Sequence, residues 1–572
     1  MSYFDAFKSD SALVDLLGES NAHFIWALGL YLEESDLEAL ASESLTDGPD
    51  DKKLDFVYVD RDAKRIVLAQ GYFGEKGKDA APANKASDLN TAVAWLLSGN
   101  LENVPDSLRP PIEECRSAIA GGEIDTIDLL YVHNRPESAN VNKELQTVEA
   151  HFRTALKDLQ VAVHSRELGQ SRIDQLFASR DSHILVKEQI TCPAKIHFET
   201  TGPNWKAAVL SVPGPWLHTI FTKHGEALFS ANYRGFLGAS RRRRINNAIR
   251  STAESHSQDF WVFNNGITLL TLGYGSTKDG TSLTGVSIIN GAQTTGSIGS
   301  VDLTKHSLSA VTVLCRVIQC SDDETIGNIV RYNNTQNEIT SWDQYSNDPE
   351  QGRIEAEFAS LGYSYSRKRG IQAKSEELGI DEIVQPLVAF HGRHADANRG
   401  RNEIFDRKAL YNLAFEGKKA RHILFVYTLA RAIDERRLEL KKKSSNGTII
   451  TIEEQHLALL RNLRFKYFLC AVVARVLESI LGRKVDPEAV AFAPNEAATS
   501  KRGIVGLVAA WAPIVESVLA FVATQVGTPA ELAKKLADTK LIEQTSSQVA
   551  ALLYAGKASA QHAGFAAMVS DS

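Results

Sequence analysis

Apolar residues recur at three- and four-residue spacing over 11–34, where Leu13, Leu16, Leu17, Phe24, Ala27, Leu28 and Tyr31 predict helix. The period then changes. Two strand-like runs, 54–59 and 65–70, flank the polar turn 60–64 and predict a β-hairpin. A helix is predicted over 85–97, a strand over 125–132 and a further helix over 139–163, which makes the N-terminal part an α/β unit. From about 183 to 370 strands dominate, with apolar runs at 207–212, 267–272, 286–289 and 311–317 punctuated by Gly and Asn. Beyond about 375 the periods are helical, through 409–438, 452–481 and 504–522. The stretch 440–447, with its three consecutive lysines, reads as an exposed loop or linker. The most apolar window, 503–526, contains Trp511, Pro513 and Glu516 and reads as a buried helix. The expected fold class is an α/β and α+β multidomain protein, divided into residues 1–175, a strand-rich 176–372 and a helical 373–572.

Composition changes this picture little. With 43% hydrophobic and 23% charged residues, the 572-residue chain is neither disordered, collagenous nor fibrous. Its 63 basic and 70 acidic residues leave a net charge of −7, so contact with nucleic acid has to come from local patches. Cys115, Cys192, Cys315, Cys320 and Cys470 form no CxxC pair, which argues against a disulfide framework and a cysteine zinc site. Sparse thiols, and an N-terminus without a basic stretch leading into an apolar run, predict a cytoplasmic protein with no membrane partner.

The hairpin carries candidate chemistry. Asp55 opens one strand and Gln70 closes the next, and an antiparallel hairpin can bring such ends together. Metal-dependent phosphodiester cleavage uses hard oxygen ligands around Mg²⁺, assisted by a lysine. Glu19, on the preceding helix, is a further carboxylate. This arrangement resembles the Mrr-like variant of the PD-(D/E)xK nuclease superfamily, in which an Asp opens one strand and Gln-x-Lys closes the next. Asp55 and Gln70 fit that pattern, and Tyr72 stands where the lysine falls. The resemblance implies a restriction-endonuclease-like N-terminal unit with Asp55, Gln70 and Lys85 as catalytic residues. It also implies Asp55 and Glu19 as ligands of Mg²⁺ or Mn²⁺. Lys85 starts the following helix, to which the superfamily's lysine can migrate; Lys76 and Lys78 are alternatives. The competing reading is an ordinary surface hairpin, because so short a pattern arises by chance.

The centre of the chain gathers amides. Phe260 to Thr268 reads FWVFNNGIT, and the stretches 288–298 and 330–339 contain NGAQTT and RYNNTQNEI. A buried unpaired amide costs about 1–3 kcal/mol, so such groups either satisfy one another or read a ligand. Gln293 and Thr294 fall in the first turn of a predicted helix after the Asn290–Gly291 turn, where free N–H groups favour phosphate. Candidate nucleic-acid or nucleotide contacts are Asn265, Asn290, Gln293, Thr294, Arg331, Asn334 and Gln336. Arg367, Lys368 and Arg369 follow Tyr363 and Tyr365, an interleaving suited to phosphates and unpaired bases. Further basic clusters lie at 241–244, with Arg250 beyond, and at Arg393, Arg399, Arg401 and Arg407.

The ordered motifs FWxFNNGIT, INGAQTT, RxNNTQNxI and GYSYSRKRG, with NYRGFLG upstream and Gln385, Phe390 and Phe405 downstream, resemble the AIPR (abortive infection phage resistance) family over about 220–415. That resemblance implies a role in bacterial antiphage defence, and many members carry the Mrr-like nuclease region. The strand–NGxQT–helix step is also similar to the DGQHR and ParB-like group, although Thr294 and Thr295 replace its His-Arg pair. Together these readings predict a metal-dependent nuclease acting on nucleic acid, DNA ahead of RNA, and assembling as a homodimer. The alternative is a catalytically degenerate sensor that binds a nucleotide or nucleic acid.

Overall fold

The computed structural model describes residues 2–46, 52–74, 80–159, 161–179, 182–232, 243–334, 345, 348–367, 377–555 and 560–571. Two compact units emerge: Met1–Ala6 with Gln170–Ile339, and Phe7–Gly169 with Thr340–Ser572.

In the second unit, strands β1 (Phe56–Asp60), β2 (Arg65–Tyr72), β3 (Thr126–His133) and β4 (Ala162–Leu168) form a sheet in that order. The hairpin is antiparallel, with Phe56 opposite Ala69, whereas β2, β3 and β4 run parallel, pairing Gln70 with Tyr131 and Tyr72 with His133. Parallel neighbours need crossover connections, here through helices Arg109–Ala120 and Ala139–Ala155. Central β3 is buried along its whole length, its apolar Ile127 and Leu129–Val132 together with the polar Thr126, Asp128 and His133. One sheet face packs Ile66, Leu68, Leu129 and Tyr131 with Leu89, Val141, Leu145 and Val148. The helix Glu19–Leu32 packs on β2 and β3, with the Phe24 ring against Gly71.

The helix expected over 85–97 is broken into Ala83–Ser87, Asn90–Val93 and a wider turn, Ala94–Ser98. Arg116 takes up the carbonyls at that end, donating to Trp95, Leu96 and Gly99 at 2.8, 2.7 and 2.6 Å. The helical pattern over 11–34 is likewise two helices, divided at Gly18.

The same unit contains the C-terminal helices. Ala420–Ser445, Phe465–Leu481 and Gly503–Gln525 bury Phe425, Phe468 and Trp511 in one core. Of the stretch expected as a loop at 440–447, residues 440–445 instead complete the first of these helices, and Asn446 and Gly447 turn out of it. Leu440 is fully buried, and Lys441 Nζ donates to the carbonyls of Ser42 and Leu45 at 2.8 and 2.6 Å. A charge run that caps carbonyls has no need to be a solvated loop. Among the described residues, only Gly503–Gln525 is long and apolar enough to cross a membrane; here it buries Leu507, Trp511, Val515 and Val518, as its sequence indicates.

The first unit is built on β5 (Val186–Cys192), β6 (Ile196–Thr201), β7 (Trp205–Pro213), β8 (Ile267–Thr271), β9 (Gly273–Thr277), β10 (Gly280–Asn290) and β11 (Thr312–Cys320). The sheet order is β5-β10-β8-β11-β7-β6, with β9 also on β10; β8 and β11 are parallel and the other pairs antiparallel. All five cysteines are free and buried.

Candidate active site

The parallel strands β2, β3 and β4 end at one edge of their sheet, and antiparallel β1 begins there. In open α/β sheets that carboxyl edge is where ligands sit. Asp55 immediately precedes β1, and its Oδ2 accepts from Gln70 Nε2 at 2.6 Å and from the Gly71 amide at 2.7 Å. Gln70 is buried, and its Oε1 has no hydrogen-bond partner. A buried acceptor left unpaired costs about 1–3 kcal/mol, so this oxygen stands ready for a donor or a cation.

Three residues not singled out from sequence share the edge. Tyr131 donates to the Pro82 carbonyl at 3.1 Å, and burial, with Tyr72, Glu167 and Asp55 adding to it, pushes its phenol well above the ordinary value. His133 Nε2 lies 3.0 Å from Glu167 Oε1. Both Glu167 oxygens accept from the Ser138 amide, at 3.0 and 3.2 Å, where the helix Ala139–Ala155 begins. The available signal was the Tyr131 and His133 pair at alternate positions closing the run Ile127–His133; Glu167 lies in the polar stretch 164–167 and carried no such signal.

Lys85 lies half-buried on the helix Ala83–Ser87, which packs on β2, and forms no ion pair with a described residue. Glu19 opens the helix Glu19–Leu32 and pairs in solvent with Lys8. The structure therefore brings Asp55 and Gln70 together and gives Glu19 a different described partner. Lys76 and Lys78 fall outside the described residues. Among the described residues, no three His, Cys, Asp or Glu side chains are grouped to share a metal ion. Magnesium asks for less, since it commonly takes one or two protein oxygens and completes its shell with water and phosphate. The Asp55 carboxylate and the unpartnered Gln70 Oε1 fit that requirement.

Asn264, Asn290 and Asn333 are held chiefly by backbone carbonyls, with Asn264 Nδ2 donating to the Phe260 carbonyl at 3.0 Å. Asn290 closes β10, and its Nδ2 donates to the Asn333 carbonyl at 2.7 Å; Asn333 in turn binds Arg316 and donates to the Ile329 carbonyl at 2.7 Å. Gly291 makes the turn into the helix Ala292–Gly299 at φ +92°, where a Cβ would stand 2.8 Å from the Gly266 carbonyl oxygen. Thr294 is buried, Gln293 half-buried and Asn265 exposed. Arg331 and Asn334 lie on the helix Asp323–Asn334, but their side chains are outside the described residues, as are Gln336, Lys368, Arg369 and the arginines at 241 and 242.

Two readings of the aromatic and basic clusters are corrected. Tyr363 and Tyr365 are core residues rather than stacking platforms: Tyr365 stacks on Phe358 and donates to Gln351 Oε1 at 2.6 Å. The arginines at 393–407 each already meet a carboxylate within the fold. Arg393 meets Asp396 at 2.7 Å, Arg407 meets Glu403, and Arg401 reaches Glu34 and Asp62 at 3.0 and 3.1 Å. Arg367 pairs with Glu355 and Arg250 with Glu254.

Fold and corner together define a mixed α/β protein with an acid–amide pair at the carboxyl edge of a largely parallel sheet. Residues 229–491, just under half of the chain, match the family model described as AIPR protein, which supports a place in the AIPR family. No curated protein and no solved structure matches the chain.

Proposed function

We propose that this protein acts in phage defence, by abortive infection, as a metal-dependent nuclease that cleaves nucleic-acid phosphodiester bonds at the Asp55–Gln70 corner. The AIPR match supports the defence role. The cleavage reading rests on one observation: Asp55 and Gln70 meet at 2.6 Å while Gln70 Oε1 has no partner. Asp55 and Gln70 would hold Mg²⁺ or Mn²⁺, with Glu19 as a further candidate ligand; such an ion supplies an activated water and charge stabilisation at phosphate. The chain's own contribution is fixity. The Gly71 amide and the Gln70 amide hold the Asp55 carboxylate in one orientation, and a neutral Gln adds no second negative charge facing a phosphate. Lys85 is the proposed lysine of the site. Proposed partners are nucleic acid, duplex DNA first, and a second copy of the chain, in the cytoplasm.

The test is incubation of the purified chain with duplex DNA and with RNA, in Mg²⁺, in Mn²⁺ and in EDTA. Cleavage is expected only with metal, and Asp55→Ala should lower it by at least about 100-fold, the usual cost of deleting a group that organises transition-state charge. Metal-dependent cleavage that survives in Asp55→Ala overturns the site. Tyr72 at the lysine position favours a second reading, a catalytically silent sensor. Nucleotide binding lost in Gln293→Ala, with no cleavage by the wild type, would select it.

A further inference from the structure

A phosphodiester site needs a cation beside its carboxylate, and Tyr72 removes the one expected on β2. Arg135, two residues beyond the end of β3, lies against that position. A Cβ built on Gly74 would stand 2.6 Å from Arg135 Nε, 2.9 Å from Nη2 and 3.1 Å from Tyr72 Cε1. The guanidinium and the Tyr72 ring therefore flank one point of the backbone, and glycine there leaves room for both. Asn134 holds that backbone, accepting from the Gly74 amide at 2.8 Å and donating to its carbonyl at 3.1 Å. The Arg135 amide lies 3.3 Å from His133 Nδ1, which ties the residue to the His133–Glu167 pair.

Arg135 Nε and Nη2 are nonetheless buried without a hydrogen-bond partner. These two nitrogens form the forked edge that grips carboxylate or phosphate side-on. An arginine does not shed its proton to escape burial, so guanidinium nitrogens buried without a partner are costly even where, as in Arg135, the residue as a whole is half-buried. The arginines that stand out in the sequence behave otherwise: Arg250, Arg367, Arg393 and Arg401 each meet a carboxylate.

We infer that Arg135 is the phosphate-binding cation of this corner, gripping phosphate oxygens through Nε and Nη2 in place of the lysine missing at Tyr72. Its assignment to a scissile phosphate rests on the nuclease reading of Asp55 and Gln70. The anion site itself does not.

Two measurements on the full chain separate these claims. The first is thermal melting in metal-free buffer, with inorganic phosphate or chloride at equal ionic strength; the second is DNA cleavage with Mg²⁺. Phosphate should raise the wild-type melting temperature. Arg135→Gln should melt no lower than wild type in chloride, lose more than half of the phosphate-dependent rise and cleave at least about tenfold more slowly. Arg135→Lys should keep part of both responses. A full phosphate rise in Arg135→Gln overturns the anion site, whatever happens to cleavage. Loss of that rise, in a wild-type chain that does not cleave, leaves the anion site standing and removes the nuclease reading. Unaltered cleavage in Arg135→Gln, beside a lost phosphate rise, overturns the assignment to the scissile phosphate.

Discussion

At the scale of single residues, the carboxyl edge of the N-terminal sheet holds polar atoms that the fold leaves unanswered: the Gln70 Oε1 acceptor and the Arg135 Nε and Nη2 donors. Gly74 is the residue that permits this. Its missing side chain leaves the space in which the guanidinium lies, and the obstructing atoms are the far end of a flexible side chain, not backbone. Gly74→Ala should therefore displace Arg135 instead of unfolding the edge. Stability should change by less than about 1 kcal/mol, while the phosphate-dependent rise in melting temperature shrinks. A large loss of stability with the phosphate response intact would contradict that account.

At the scale of elements, buried charge joins pieces distant in sequence. Arg401 reaches Glu34 at 3.0 Å and Asp62 at 3.1 Å, with Asp381 at 3.7 Å, and Arg401 and Glu34 are each less than a tenth exposed. Removing one partner strands the others, so Arg401→Ala should cost about 3–5 kcal/mol, and Arg401→Met distinctly less; chemical denaturation checks both. Buried imidazoles set a pH dependence. Burial holds His391 down to about 3 and His422 to about 4, their rings stacked and their Nε2 atoms 2.9 Å apart, and it holds His23 to about 3. Each ring stays neutral in the fold, whereas the unfolded chain takes up a proton near the ordinary value of 6.5. The unfolded state thus binds more protons below that value, and stability should fall as pH drops from about 6.5 towards 4, by at most about 1.4 kcal/mol per unit for each ring. A melting temperature that stays flat over that window would contradict this.

Periodicity made the strands legible, because β3 and β10 are buried runs and the 60–64 turn fixes a hairpin that sets Asp55 beside Gln70. The same pattern failed at 440–447 and at 393–407, where Lys441 and Arg401 serve carbonyls and carboxylates brought from far along the chain and Arg393 and Arg407 meet carboxylates three or four residues away. Charge runs report composition and not partners, so the paired arginines stood out in the sequence and the unpaired Arg135 did not.

At the scale of the whole molecule, the N-terminal sheet and the C-terminal helices belong to one compact unit, although more than 150 residues of the other unit separate them in sequence. Arg431 pairs with Asp36 and Glu38, Arg437 donates to Ser42 at 2.9 Å, and Lys466 meets Asp434 and lies 3.3 Å from Glu43. A fragment ending at residue 169 leaves those N-terminal carboxylates without their cations. It should fail to melt cooperatively on its own and recover when residues 340–572 are supplied; independent cooperative unfolding of the fragment would contradict this. The −7 net charge is therefore a poor guide to partners, since Arg401, Arg431 and Lys466 meet carboxylates of the N-terminal part inside the fold. The central claim concerns Asp55, and its most direct test is the single-turnover rate of Mg²⁺-dependent DNA cleavage in Asp55→Asn, which keeps the shape and removes the charge. The expected result is a loss of at least about 100-fold with an unchanged melting temperature; a rate equal to wild type would contradict the account.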